Sequence, residues 1–181
     1  MFNNDIFGTQ NVKDVIKDIS EADVVFVADA YADQYTGGAE LTTEAIYQKS
    51  NKKVVKLNSN EVSADTIKAG INKHWVFFNF ANMNLNLIPT IIANINYSIV
   101  EYDYKFCKYR SVEKHFEIEG SECNCQNDQN GKMVSAFMFG SENLFWMSEK
   151  QKNLYLNLFP FLEKKNNFIL TSVFCDKTLD K

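Results

Sequence analysis

No stretch of this chain approaches the ~18 consecutive apolar residues that a membrane-spanning helix needs, so no transmembrane segment is expected. The first residues, Met1-Phe2-Asn3-Asn4-Asp5, have neither the basic region nor the apolar run of a secretory leader, which leaves a cytoplasmic setting as the default. Basic charge is also scarce: the net charge is −4 and the isoelectric point about 5.2. A general nucleic-acid or anionic-lipid surface needs clustered Lys and Arg, so nucleic acid is not an expected partner. The Gly-x-Gly-x-x-Gly fingerprint is missing, which disfavours a nicotinamide or flavin cofactor. Proline occurs only twice and leaves long stretches free to form regular structure.

What is present is ordinary globular material. Hydrophobic residues make up 45% and charged residues 23% of 181 positions, enough for one well-buried domain and short for two. Val24-Val25-Phe26-Val27 is a β-branched and aromatic run without polar alternation, the pattern of a strand covered on both faces. Asp29 and Asp33 follow, then Gly37 and Gly38, and then Leu41, Ala45 and Ile46 at helical spacing. The glycine pair therefore opens a helix, where free amides and a positive dipole meet a backbone with no side chain in the way. The plainer reading is a sharp turn with Glu40 favouring the helix start.

Further strands are expected at 54–57, 75–80, 97–102, 144–147 and 168–174. Helices are expected at 11–20, 38–50, 63–70, 87–94, 132–139 and 148–159, with Ser148 and Gln151 at capping-box spacing. Strands alternating with helices imply βαβ units and an α/β fold with a doubly wound, mostly parallel, Rossmann-like sheet. Ligands in such sheets bind beyond the carboxyl ends of the strands, which singles out 29–38, 79–86 and 101–110. Asn79, Asn82, Asn84 and Asn86 cluster in the second of these loops. The alternation lapses from Asp103 to Gly131, a long polar insertion of a length that is usually functional or tied down.

Within that insertion lie Cys107, His115, Cys123 and Cys125, whereas Cys175 stands apart. In a reducing compartment, clustered Cys and His suggest a metal before a disulfide. Three thiolates and one imidazole make a closed tetrahedral set, and closed sets hold structural Zn2+. Metal binding would supply the ordering free energy that sparse apolar residues cannot. Free thiols, or a redox or nucleophilic role, are the alternatives. Glu101 and Asp103 end the fourth strand and read as polar residues that close it, not as a ready acid/base pair. His74 reads as a strand-edge residue, and Phe137, Phe139, Phe145, Trp146, Tyr155, Phe159 and Phe161 as core.

Strand, Asp29, loop and Gly37-Gly38-Ala39-Glu40, followed by Trp146-Met147-Ser148-Glu149-Lys150-Gln151 and then Ile169-Leu170-Thr171-Ser172-Val173-Phe174, resemble the acceptor-side, amino-terminal domain of family-4-type, two-domain (GT-B fold) glycosyltransferases. The likeness spans roughly residues 23–176. It implies transfer of a sugar, with retention, from a nucleotide-sugar to a hydroxyl acceptor in a cleft between two domains. Asp29, Gly37, Gly38, Glu40 and Asn82 would then face substrate. Glu101 and Asp103 occupy the neighbourhood where similar transferases often carry a sugar-contacting histidine, which makes them the catalytic candidates. The donor-binding domain is expected to be missing from these residues, so the chain alone should be inactive, in a homo- or hetero-oligomer or not. The rival expectation is a non-catalytic carbohydrate-binding or interaction module with a structural zinc.

Overall fold

A computed structural model describes residues 12–172. Six strands form one sheet in the order β2-β1-β3-β4-β5-β6. They are β1 (Val24–Ala28), β2 (Val54–Asn58), β3 (His74–Phe77), β4 (Asn96–Glu101), β5 (Asn143–Trp146) and β6 (Asn166–Ile169), and every neighbouring pair is parallel. The α/β, doubly wound expectation therefore holds. The glycine-opened helix is preceded by a strand that lies between β2 and β3, as its unbroken apolar run requires.

Residue alternation along β1 divides the interior. Val25 and Val27 enter one apolar cluster, while Phe26 and Ala28 enter the other. The larger cluster lies under α1 (Val12–Glu21), α3 (Ala64–Ala69), α4 (Ile88–Asn94), α6 (Gln129–Gly140) and α7 (Glu149–Leu158). Its centre is aromatic: Tyr97 stacks on Phe137 at 4.8 Å between ring centres, and Phe77 meets the same ring edge-on at 5.0 Å. Each such fully buried ring contributes about 1.5–3 kcal/mol, so this face dominates stability. On the opposite face, α2 (Gly38–Lys49) is the only helix among the described residues that contributes to the smaller cluster, through Ile46.

The element boundaries differ from expectation in instructive places. β3 stops at Phe77, because the chain leaves the sheet there and sends Phe78 to one cluster and Phe80 to the other. β6 covers 166–169, and residues 173 and 174 of the expected strand lie outside the described residues, as does Cys175. Of the aromatic residues read as core, Phe139 and Phe161 instead lie at the surface, where they pack on each other at 5.5 Å. Phe145 is half-buried on the smaller face beside Phe168.

The insertion is not structureless. It holds α5 (Val112–Glu119) and a short 3-10 turn at Cys125–Asn127, and α6 begins at Gln129. Ser111 caps α5 through its hydroxyl, which accepts from the Lys114 amide at 3.1 Å. Gly120 ends the helix at φ 66°, the left-handed conformation that glycine adopts without penalty. Ser148 caps α7, accepting from the Gln151 amide at 3.1 Å. The Gln151 side chain departs from a capping box: its oxygen accepts from the Met147 amide and its nitrogen donates to the Asp103 carbonyl, tying α7 to the loop after β4.

Candidate functional site

Two polar constellations meet at the carboxyl edge of the sheet. The first occupies the point where strand order reverses, between β1 and β3, which is where open parallel sheets bind ligands. Asp29, one residue past β1, accepts from the Ala81 amide at 3.1 Å and the Asn82 amide at 3.0 Å, and from the Ser59 hydroxyl. Its carboxylate thus fastens the loop after β3 to the end of β1. Asn82, also a substrate candidate, joins this arrangement through its backbone and leaves its side chain at the surface.

Arg110, the sole arginine of the chain, spans the strand ends. Its guanidinium donates to Asp103 through Nε at 2.7 Å and through a second nitrogen, donates to Asn79 at 3.1 Å, and approaches Asp29 at 3.9 Å. Partial burial works against its charge, but Asp103 and Asp29 override that and hold its pKa above the usual arginine value. Lys105 donates to Glu101 at 3.0 Å and to Asp103 at 3.3 Å. The two carboxylates therefore converge on one ammonium, each held by an ion pair. The strand ends at Glu101, and Asp103, two positions on, lies on the side that a period of two gives it.

Glu101 is only 1% exposed. Burial drives its carboxyl pKa up, opposed by the Lys105 ammonium, the Lys105 amide and the Tyr155 hydroxyl, which donates at 2.7 Å. Burial, with Glu101 beside it, raises the Tyr155 phenol well above its ordinary range. Glu101 is thus enclosed by protein donors, while Asp103 is partly exposed and shared by Arg110 and Lys105.

The glycine pair stands apart from this network. Gly37 precedes α2 in ordinary extended conformation, φ −125°. A Cβ there would lie 2.5 Å from the Glu40 carboxylate and 2.9 Å from the edge of the Tyr35 ring, so Glu40 folds back over the helix start. A Cβ on Gly38 would meet nothing within 4 Å, so packing does not demand glycine at that position. The link from α2 to the end of β4 is a hydrogen bond of 2.8 Å between the Thr43 and Tyr102 hydroxyls.

The second constellation is the Cys/His cluster. Cys107 sits in a closed turn, its amide donating to the Tyr104 carbonyl at 2.8 Å; His115 comes from α5, and Cys125 opens the 3-10 turn before α6. All four ligand atoms lie within 4.8 Å of one another, and Cys107, His115 and Cys125 are buried. Nδ1 of His115 is 3.6 Å from the Cys107 sulfur and 3.5 Å from the Cys125 sulfur. Bonds of about 2.3 Å to sulfur and 2.0–2.1 Å to nitrogen at tetrahedral angles imply S···N edges of about 3.6 Å, so these residues fit a tetrahedral ion. Burial and the neighbouring thiols push the Cys123 thiol up to about 12; a cation is what makes three adjacent thiolates tolerable. Gly131 seals the arrangement, because a Cβ there would lie 2.2 Å from the Cys125 carbonyl oxygen. Where the sequence read four candidate ligands, the structure brings all four together, able to hold a metal ion.

A cleft of about 270 Å3 lies between the constellations, with Phe80 and Leu85 from the loop after β3, Lys105 and Arg110 from the turn after β4, and Cys125 and Asn130 among its walls. Sequence reasoning missed Lys105, Arg110 and Tyr155. One signal was available for the second of these: a solitary arginine among nineteen basic residues, in a loop beyond a strand, is the residue suited to fork-like pairing with carboxylates. The fold and site define a parallel α/β domain with a clustered Cys3His set beside the carboxyl edge of its sheet. Comparison with protein-family models, with curated proteins and with solved structures returned no match.

Proposed function

We propose that this domain is the acceptor-side half of a retaining glycosyltransferase, which presents a hydroxyl acceptor to a nucleotide-sugar held by a separate donor-binding domain. The observation that carries the reading is the placement of the glycine-opened helix α2 directly after β1, at a sheet edge that also has a cleft. In that role Gly38 offers backbone amides without steric obstruction, and partly exposed Asp103 is the carboxylate nearest to a catalytic or sugar-orienting part. Glu101, being enclosed, supports Asp103 through Lys105. We further propose that the Cys/His ion is Zn2+ in a structural role, since four protein donors leave no position for substrate or water.

The test mixes the purified chain with nucleotide-sugars and hydroxyl acceptors, alone and with a donor-binding domain. Transfer is expected only with both halves, and turnover by this chain alone overturns the reading. The second reading, a carbohydrate-binding module without chemistry, is favoured by the engagement of both edge carboxylates by Lys105 and Arg110. It predicts sugar binding with no transfer under either condition.

A further inference from the structure

We infer that the Cys/His centre is the device that holds Arg110 across the ends of β1, β3 and β4, so that loss of the metal unlatches the polar node at that edge. This rests on the reading that Cys107, His115, Cys123 and Cys125 bind an ion, and goes beyond a merely structural clip. Arg110 lies three residues after one ligand and five before another. Its amide donates to the Cys107 carbonyl at 2.9 Å, and its own carbonyl accepts from the Tyr104 amide at 3.3 Å, closing the turn that presents Cys107. The next residue, Ser111, places its carbonyl oxygen 3.4 Å from the Cys107 sulfur and caps α5, the helix that carries His115.

The first half of this turn is anchored by buried Phe106 against Tyr155 and Phe159. Beyond Cys107 the apolar packing thins to half-buried Tyr109, and the turn is tied to α5, the helix that carries His115, through Lys108 and Tyr109 on Glu119. Lys108 is exposed, and Tyr109 packs edge-on against His115 itself at 5.6 Å. Arg110 also sits at φ 56°, a left-handed conformation that a residue with a side chain keeps only when its surroundings impose it. A metal bond to Cys107 on one side and to His115 on the other imposes it. The opposite wall is fastened at the same point, for Asn130 donates to the Lys105 carbonyl at 3.0 Å and Gly131 abuts Cys125. With the ion gone, the segment from Lys108 to Ser111 keeps neither constraint, and the three-way contact to Asp29, Asn79 and Asp103 loses its backbone support.

Because the chain has one arginine, protein carrying nitrogen-15-labelled arginine reports on this residue through a single Nε–H signal. In protein loaded with Zn2+, the Nε proton donated to Asp103 is expected to exchange slowly with solvent. Removing Zn2+ with a chelator under reducing conditions is expected to speed that exchange ~tenfold or more with the far-ultraviolet circular dichroism retained, and returning Zn2+ to restore it. Asp103→Asn is expected to show the fast exchange with the metal still bound, separating the latch from the centre. Native mass spectrometry showing no bound Zn2+ sinks the metal reading and this inference together. Bound Zn2+ whose removal leaves the exchange rate unchanged overturns this inference alone, as does collapse of the circular dichroism, since the centre would then support the whole fold and not this contact.

Discussion

Residues 29–37 and residues 102–128 both leave carboxyl ends of neighbouring parts of one sheet, and they are ordered by different means. The shorter segment is held by backbone acceptors and by Asp29, Tyr31 and Gln34, and it leads through Gly37 to Gly38, a glycine that packing does not require. The longer one has few apolar anchors and is held by Lys105, Arg110 and the Cys/His cluster. A short connection needs little beyond local hydrogen bonds to keep one shape. A long polar one must offset more conformational entropy, and charge pairing plus a Cys/His set able to hold a metal ion stand where burial is sparse.

The contrast can be broken most severely at the cluster. Cys125→Ser is expected to lower Zn2+ affinity more than ~100-fold in competition with a chelator, because even partners one step removed from a metal are worth 10–100-fold. Gly37→Ala in the same assay should leave affinity within about twofold, and an equal loss in both would mean that the two segments are not independently ordered. Next in size is Lys105→Met, which leaves the Glu101 carboxylate buried and unpaired. Chemical denaturation should show a loss of about 3–5 kcal/mol, largely recovered by adding Glu101→Gln. A loss under about 1 kcal/mol for the single variant would count against the network as a source of order.

Smaller effects sharpen the same comparison through its glycines. Gly131→Ala drives a methyl against the Cys125 carbonyl and should cost about 1–3 kcal/mol in thermal unfolding. Gly38→Ala adds a methyl to open space at the first turn of a helix, so stability should hold or rise by about 0.4–1 kcal/mol. If Gly38→Ala keeps stability but lowers transfer with a donor-binding domain, the glycine serves ligand approach and not folding. Undiminished transfer would reduce the pair to a simple turn.

These differences mirror what was legible in the residues themselves. Strands and most helices were readable because Val24 to Val27 and Trp75 to Phe77 are apolar runs of the right length and Tyr97 to Val100 is broken only by Ser98, and burial follows directly from them. α5 was not, because its buried side is Val112 packed on the core and His115 facing sulfur, while Phe116 and Ile118 are more than half exposed. Helical periodicity cannot register an anchor that is an imidazole facing two sulfurs. The cluster itself was readable because thiols and imidazoles are rare and stood together. Arg110 and Lys105 were not, since their partners are dispersed over β1, β3 and β4 and no spacing rule connects them.

The position of the four ligands along the chain bears on how the molecule is made. Cys107 and Cys125 are separated by one helix and a turn, whereas the pairing of β4 with β5 joins residues as distant as Ser98 and Asn143. Closing the nearer loop is entropically easier, and every group it needs emerges from the ribosome ahead of β5. An ion captured at that stage would give the emerging polypeptide a preformed corner onto which the remaining strands are laid.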